Sequence, residues 1–321
     1  MKRVLVTGAA GFVGSMLCDA LVRSGYCVRA AVRDMSRAPG CVAERVLIED
    51  LGMSNRWREA LDGVDCVIHL AARAHILGDS PANSNLYREA NALGTLNLAT
   101  QAAEAGIRRF ILLSSIKVNG EETTGRAFSA ADQPHPKDPY GQSKWEAERH
   151  ALAVGERTSM EIAIVRSPLI YGPGVKANFL RLMRWVDRER ILPLGAIANR
   201  RSLASVWNVC DLLVLLVSQP SVARGIWMVA DGESLSTPDL IRRIATVMRR
   251  RERLIAVPVP LLRAIGNALG FRAEMSRLCG SLLVDIAATR ADLSWSPPVA
   301  VDEGLSRTVE WYTSAEKSRV E

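Results

Sequence analysis

The opening of the chain admits few folds. Arg3 to Thr7 is a short apolar run, Gly8, Gly11 and Gly14 follow at three-residue spacing, and Leu17, Ala20 and Leu21 then recur on one helical face. The run reads as a strand buried on both faces, and Gly25 reads as the cap that ends the helix. Glycines in such a turn let the backbone approach a pyrophosphate, which the free N–H groups and positive end of the helix then hold. The spacing predicts a dinucleotide site at Gly8, Gly11 and Gly14 and a doubly wound α/β fold grown outward from it. Packing alone would explain the glycines, but not their place between a strand and a helix.

Strand and helix signals alternate through the first half. Strands are expected at 27–32, 45–48, 64–70, 110–113 and 162–165, with a long helix at 83–106 and a Pro, Asp and Gly-rich loop at 119–139. This order predicts a parallel sheet covered on both faces. After Arg166 the pattern changes: Ser-Pro-Leu-Ile-Tyr-Gly-Pro-Gly breaks regular structure, and helices follow at 178–188, 209–218, 238–250 and 259–269. Short strands are expected at 203–206 and 226–229. The expected organisation is a Rossmann domain over 1–166, with a return of the chain at about 203–230, and a smaller, mostly helical substrate-binding region over 167–321 covering the carboxyl edge of the sheet. The amphipathic stretch 260–269 reads as a core or dimer helix rather than a membrane-surface one.

Composition narrows the partners. No apolar run approaches the ~20 residues of a membrane span, and the longest is 212–217. The polar Thr7-Gly8 turn interrupts the opening apolar run, which predicts no secretory leader and a cytoplasmic protein. Six cysteines are scattered without a CxxC pair, and four histidines lack ligand spacing, so neither a disulfide framework nor a metal site is expected. The net charge of +7 favours anionic partners. With few aromatics and no nucleic-acid motif, phosphorylated small molecules are expected rather than nucleic acid. The arginines at 249–253 read as a solvated helix end.

The chemistry is concentrated in Asp138-Pro139-Tyr140-Gly141-Gln142-Ser143-Lys144. Asp138 suits a helix N-cap and Pro139 the first helical position, which puts Tyr140 and Lys144 four apart on one face. An ammonium beside a phenol favours the phenolate, so this pair is expected to lower the pKa of Tyr140 and ready it for proton transfer. Ser114 and Ser115 end the strand at 110–113, at the sheet edge where a substrate would sit.

These motifs resemble the extended short-chain dehydrogenase/reductases of the nucleotide-sugar epimerase/dehydratase family. The likeness covers nearly the whole chain: Thr7-Gly8-x-x-Gly11-x-x-Gly14, His69-Leu70-Ala71-Ala72, Asn91-x-x-Gly94-Thr95, Ser114-Ser115, Tyr140-x-x-x-Lys144 and Arg166-Ser167-Pro168-x-x-Tyr171-Gly172-Pro173-Gly174. It implies a catalytic set of Ser115, Tyr140 and Lys144. It also implies a nicotinamide dinucleotide held by Gly8, Gly11, Phe12, Val13, Gly14, Asp50, Leu51, Leu70, Ala71, Ala72, Ser167, Tyr140 and Lys144. At the end of the second strand the family's acidic ribose-binding position falls on Val32, followed by Arg33 and then Asp34. Arg33 favours NADP(H), with NAD(H) the alternative through Asp34. Ser115, Lys117, Asn178 and Arg201 match substrate positions, Arg201 that of an arginine on the UDP phosphates; Asn208 reads as a helix start. Lys117 stands in a usual threonine place and Asn119 in a usual tyrosine place, a departure from plain UDP-glucose 4-epimerases.

Segments 114–121, 140–148 and 280–285 are similar to the bacterial UDP-N-acetylquinovosamine dehydrogenase subgroup. That similarity implies NAD(P)H-dependent reduction of UDP-4-keto-6-deoxy-N-acetylglucosamine in O-antigen precursor synthesis, and the family implies a homodimer through 83–106 and 140–154. The alternatives are a UDP-sugar 4-epimerase with tightly bound NAD and a non-catalytic NADP-binding regulator on the same fold.

Overall fold

The computed structural model describes residues 1–74, 83–219, 224–268, 270 and 272–317. Its main sheet has seven parallel strands: β1 (Arg3–Thr7), β2 (Cys27–Val32), β3 (Glu44–Leu47), β4 (Cys66–His69), β5 (Arg109–Ser115), β6 (Glu161–Ser167) and, arriving late from the second half, β9 (Arg224–Met228). A smaller sheet joins β7 (Leu169–Tyr171), β8 (Arg201–Ser205) and β10 (Ser234–Leu235). The helices are α1 (Phe12–Arg23), α2 (Arg58–Leu61), α3 (Ser84–Tyr87), α4 (Gly94–Glu104), α5 (Pro139–Arg157), α6 (Ala177–Asp187), α7 (Val206–Ser218), α8 (Thr237–Met248), α9 (Val259–Ala268), α10 (Arg272–Cys279), α11 (Ala287–Leu293) and α12 (Val301–Lys317).

The strand order in the main sheet is β3-β2-β1-β4-β5-β6-β9. The chain therefore runs outward from β1 in one direction, then returns to β4 and proceeds in the other. That reversal opens a crevice beyond the carboxyl ends of β1 and β4, where open α/β sheets bind ligands. Alternate residues of each strand face opposite layers. Val4, Val6, Ile68 and Ile111 meet Leu17 and Leu21 of α1 and Val209, Leu213 and Leu216 of α7. Leu5, Val67, Phe110 and Leu112 meet Leu98 and Ala102 of α4 and Ala147 and Ala151 of α5. A third core is built in the second half, from Phe179 and Met183 of α6, Ile241 and Ile244 of α8 and Leu305 and Val309 of α12, with Phe12 of α1 packed against it.

Several boundaries differ from those the sequence predicts. The helix expected over 83–106 is broken by a π-helical turn, Arg88–Leu93, between α3 and α4. The wide turn carries Asn91 inward, where its side chain accepts from the Arg73 N–H at 2.7 Å and donates to the Arg73 carbonyl and the Ser143 hydroxyl, each at 3.0 Å. Hydrophobic periodicity cannot register such an inserted residue. β7 forms inside the breaker segment because β8 lies beside it and supplies its ladder partners. Helix α12 went unpredicted, although Val301, Leu305, Val309 and Tyr312 recur at helical spacing among charged residues. Position 269, the expected end of the α9 stretch, lies outside the described residues. Among those residues no helix is long and apolar enough to cross a membrane, and no group of His, Cys, Asp and Glu could hold a metal ion.

Candidate active site

The glycine turn is shaped for close approach. Gly8 has φ +71°, and a Cβ there would stand 2.8 Å from the Ala71 nitrogen. A Cβ on Gly14 would stand 2.1 Å from the Gly8 carbonyl oxygen, so α1 can start against the turn only with glycine. Gly11 caps α1 without a side-chain hydrogen bond, and the first turn holds no acidic residue. Its N-terminal N–H groups are thus offered to an anion. These features fit a dinucleotide diphosphate. Leu70 and Ala71 close the other side, their N–H groups donating to the Thr7 carbonyl and hydroxyl, both at 3.3 Å. Phe12 packs under Gly172 and Gly174 of the Tyr-Gly-Pro-Gly loop, while Val13 occupies the first turn of α1.

The second strand brings Arg33 and Asp50 together as an exposed ion pair. Asp34 turns away and caps the following turn by accepting from the Ser36 N–H at 3.0 Å. The preference for NADP(H) drawn from Arg33 finds no support here, because the guanidinium already has a carboxylate partner that would repel a 2′-phosphate. Leu51 packs against Gly94.

The proton-transfer candidates converge on the ends of β5 and α5. Asp138 caps α5 by accepting from the Gly141 N–H at 2.7 Å, and Pro139 starts the helix. Tyr140 follows, its ring edge-on to Tyr87 at 5.9 Å. Ser115 accepts from the Lys117 N–H at 3.3 Å and lies close enough to Tyr140 to influence its acidity. Lys144, one turn on, is buried and donates to the Leu113 carbonyl at 2.7 Å. Ser143 donates back to the Tyr140 carbonyl at 2.8 Å and receives Asn91, so the π turn braces the start of α5.

The electrostatics depart from expectation at Tyr140. Burial, and then the Asp138 carboxylate, push its phenol up to about 12, with the Ser115 hydroxyl opposing. Burial lowers Lys144 to about 8, against the pull of Glu148. The sequence placed an ammonium beside a phenol but did not weigh the desolvation of both. His69, buried under the site with its Nδ1 2.6 Å from the Thr7 hydroxyl, is driven down to about 3 by burial and by Lys144, and is neutral.

Beneath these residues lies a polar network that sequence reasoning missed. Glu148 and Arg166 form an ion pair at 2.6 Å with both side chains 2% exposed. Ser114 hydrogen-bonds Glu148, Arg166 donates to Asn119 at 3.1 Å, and Asn119 donates to the Ser129 carbonyl at 3.1 Å. Ser167, at the end of β6, donates to the Ser114 carbonyl at 3.4 Å. The available signals were Glu148 four residues after Lys144 and an arginine closing an apolar strand.

Of the expected substrate residues, Lys117 and Arg201 both lie near Glu121, and Asn178 stands at the start of α6. Lys117 is ion-paired to Asp138 and to Glu121, the latter at 3.1 Å. Arg201 starts β8 and donates to the Arg277 and Gly280 carbonyls at 2.7 and 3.0 Å, which brings it to the end of α10. Asn178 is exposed in the first turn of α6, accepting from Arg181 at 3.0 Å. Asn208 lies in the first turn of α7, its N–H donating to the Ser205 hydroxyl that caps the helix and its side chain tied to Asp231 at 2.6 Å and the Val299 carbonyl at 2.8 Å.

A seven-stranded parallel sheet with a glycine turn at its switch point, and a Ser, Tyr and Lys set beside it, defines an NAD(P)-dependent oxidoreductase of the extended short-chain dehydrogenase type. Residues 4–230 match the NAD dependent epimerase/dehydratase family, and the chain belongs to it. It is 40% identical over 319 residues to a UDP-glucose 4-epimerase of Vibrio cholerae, covering 98% of this chain and 96% of that one. An undecaprenol-diphosphate-linked N-acetylglucosamine 4-epimerase of Escherichia coli O157:H7 is 24% identical, covering 99% and 97%. Among solved structures, MoeE5 in complex with UDP-glucuronic acid and NAD superposes with a TM-score of 0.79 at 27% identity, covering 98% and 99%.

Proposed function

We propose that this protein transfers a hydride between NAD(H) and C4 of a UDP-linked hexose. The observation that carries the reading is the convergence of Ser115, Tyr140 and Lys144 beside a glycine turn with an open helix N-terminus. The NAD-bound relative and the paired state of Arg33 support NAD(H) over NADP(H). The nicotinamide supplies or accepts the hydride when bound. Tyr140 moves the proton at the C4 oxygen; with its phenol at about 12 it holds that proton at neutral pH, as a donor to a forming hydroxyl must. Ser115 orients the same oxygen. Lys144 at about 8 is mostly an ammonium at neutral pH and adds positive charge to the site.

The direction favoured is reduction of UDP-4-keto-6-deoxy-N-acetylglucosamine to UDP-N-acetylquinovosamine, in the cytoplasm and for surface polysaccharide. Lys117 and Asn119, in places where the resemblance puts a sugar-positioning threonine and a tyrosine, are committed to Asp138, Glu121, Arg166 and Ser129 instead. A second reading, UDP-glucose 4-epimerisation, is favoured by the name of the 40% identical relative. Assembly as a homodimer through α4 and α5 belongs to either reading.

The test is absorbance at the reduced-nicotinamide band on mixing protein, NADH or NADPH, and UDP-4-keto-6-deoxy-N-acetylglucosamine. Stoichiometric loss with NADH, cut by about 10³-fold in Tyr140→Phe with cofactor affinity retained, is the expected result. No loss, together with conversion of UDP-glucose to its C4 epimer in a parallel sample, selects the second reading. Near-normal turnover in Tyr140→Phe removes the mechanism.

A further inference from the structure

Lys117 does not point its charge into open crevice. It sits in the single 3-10 turn, Ile116–Val118, that follows Ser115, and its ammonium is held between Asp138 and Glu121. Asp138 uses one oxygen to cap α5 and the other to receive Lys117. The two elements touch through backbone as well: a Cβ on Gly141 would stand 2.7 Å from the Lys117 carbonyl oxygen and 3.1 Å from Asp138 Oδ1. The loop that joins them returns to the same turn, where the His135 N–H donates to the Val118 carbonyl at 2.9 Å. Asp138 is only 11% exposed at its side chain, so its charge is weakly screened by water.

We propose that Lys117 is a positioning residue for Tyr140. It clamps the turn that carries Ser115 to the first turn of α5, and it neutralises the Asp138 carboxylate that faces the Tyr140 phenol. A threonine in this place reaches neither Asp138 nor Glu121; the longer, charged side chain does. The proposal rests on Tyr140 as the proton-transfer group of the preceding section, but the clamp itself is read without turnover.

The charges around Tyr140 define what the clamp changes. Its own helix presents Asp138 before it, Lys144 one turn on, and Glu148 beyond, the last already paired to Arg166 of β6. Tyr87 faces it from α3. The turn after β5 presents Lys117 and then Glu121, which lies 4.0 Å from Arg277 of α10. His135 and Lys137, 3.1 Å apart, are exposed on the incoming loop. Asp138 is the carboxylate that holds Lys117 and is also among the causes that push Tyr140 upward.

The test is a pH titration of Tyr140 in the full chain saturated with NAD⁺, followed by ¹³Cζ-tyrosine NMR. The signal is assigned by its loss in Tyr140→Phe, and folding is monitored on the remaining tyrosines. Lys117→Met is expected to raise the Tyr140 midpoint by about half a pH unit to one unit, the size a single charge exerts across partly hydrated protein. Lys117→Arg leaves it in place. Asp138→Asn keeps an N-cap acceptor, lowers the midpoint, and makes a second change of Lys117→Met silent. An unmoved midpoint in Lys117→Met overturns the proposal. If that variant does not fold, an unmoved midpoint in Asp138→Asn overturns it instead. The titration reads a proton and not turnover, which keeps the result independent of whether the hydride-transfer reading holds.

Discussion

The two ends of the crevice are built differently. At the floor, where β5, β6 and α5 meet, Glu148 and Arg166 are paired with side chains each 2% exposed, and each has a further polar partner, Ser114 for Glu148 and Asn119 for Arg166. At the rim, where β2 and β3 end, Arg33 and Asp50 form a pair with side chains 66% and 71% exposed. An arginine–carboxylate pair has a different environment in the two places. A buried pair is held to one geometry, because removing either partner strands a charge in a low-dielectric interior. An exposed pair is screened and worth little to the fold. The buried pair also holds Ser114, the residue before Ser115 at the end of β5.

The strongest way to break this contrast is to cut one pair at the floor. Arg166→Met leaves Glu148 uncompensated and is expected to cost about 3–5 kcal/mol in urea unfolding, with much of the loss regained in Arg166→Met/Glu148→Met. A cost below about 1 kcal/mol would make the floor no more constrained than the rim. A smaller effect comes from Lys144. Its folded value of about 8 lies below the 10.5 of an ordinary lysine, so between those values the unfolded chain binds more protons and stability rises with pH. The floor therefore predicts that the natural chain gains stability relative to Lys144→Met from pH 8 to about 10. Above pH 10 the raised Tyr140 works in the opposite sense, since the unfolded phenol ionises first. Parallel pH dependence of the two chains would show Lys144 to be solvated. The least change is expected at the rim: Arg33→Ala should alter stability by no more than about 0.5 kcal/mol and leave the rate with NADH within about twofold. A large loss confined to NADPH would restore Arg33 as a 2′-phosphate ligand.

What could be read in the sequence follows local rules. The glycine spacing of 8, 11 and 14 expressed a close approach that only glycine permits, as the 2.1 Å clearance at Gly14 shows. Asp138 and Pro139 announced the start of α5, and the cap bond at 2.7 Å is there. Strand and helix alternation carried the parallel sheet, because each strand's side chains must be buried by the helices that follow it. Those signals lie within a few residues of one another, so a one-dimensional pattern contains them.

The tertiary structure alone decided the partners of the charged side chains. Arg166 meets Glu148 from 18 residues away, Lys117 meets Asp138 across 21, and Arg33 meets Asp50 across 17. Nothing in the spacing favours these pairings over others. Nor does the pattern show which ammonium is desolvated: Lys117 and Lys144 look alike in the chain, yet one is salt-bridged and partly exposed while the other is buried against the Leu113 carbonyl. Tyr140 rises rather than falls for the same reason. The acidity of a buried group is set by the water it loses and the charges the fold brings to it, and both exist only once the layers have closed.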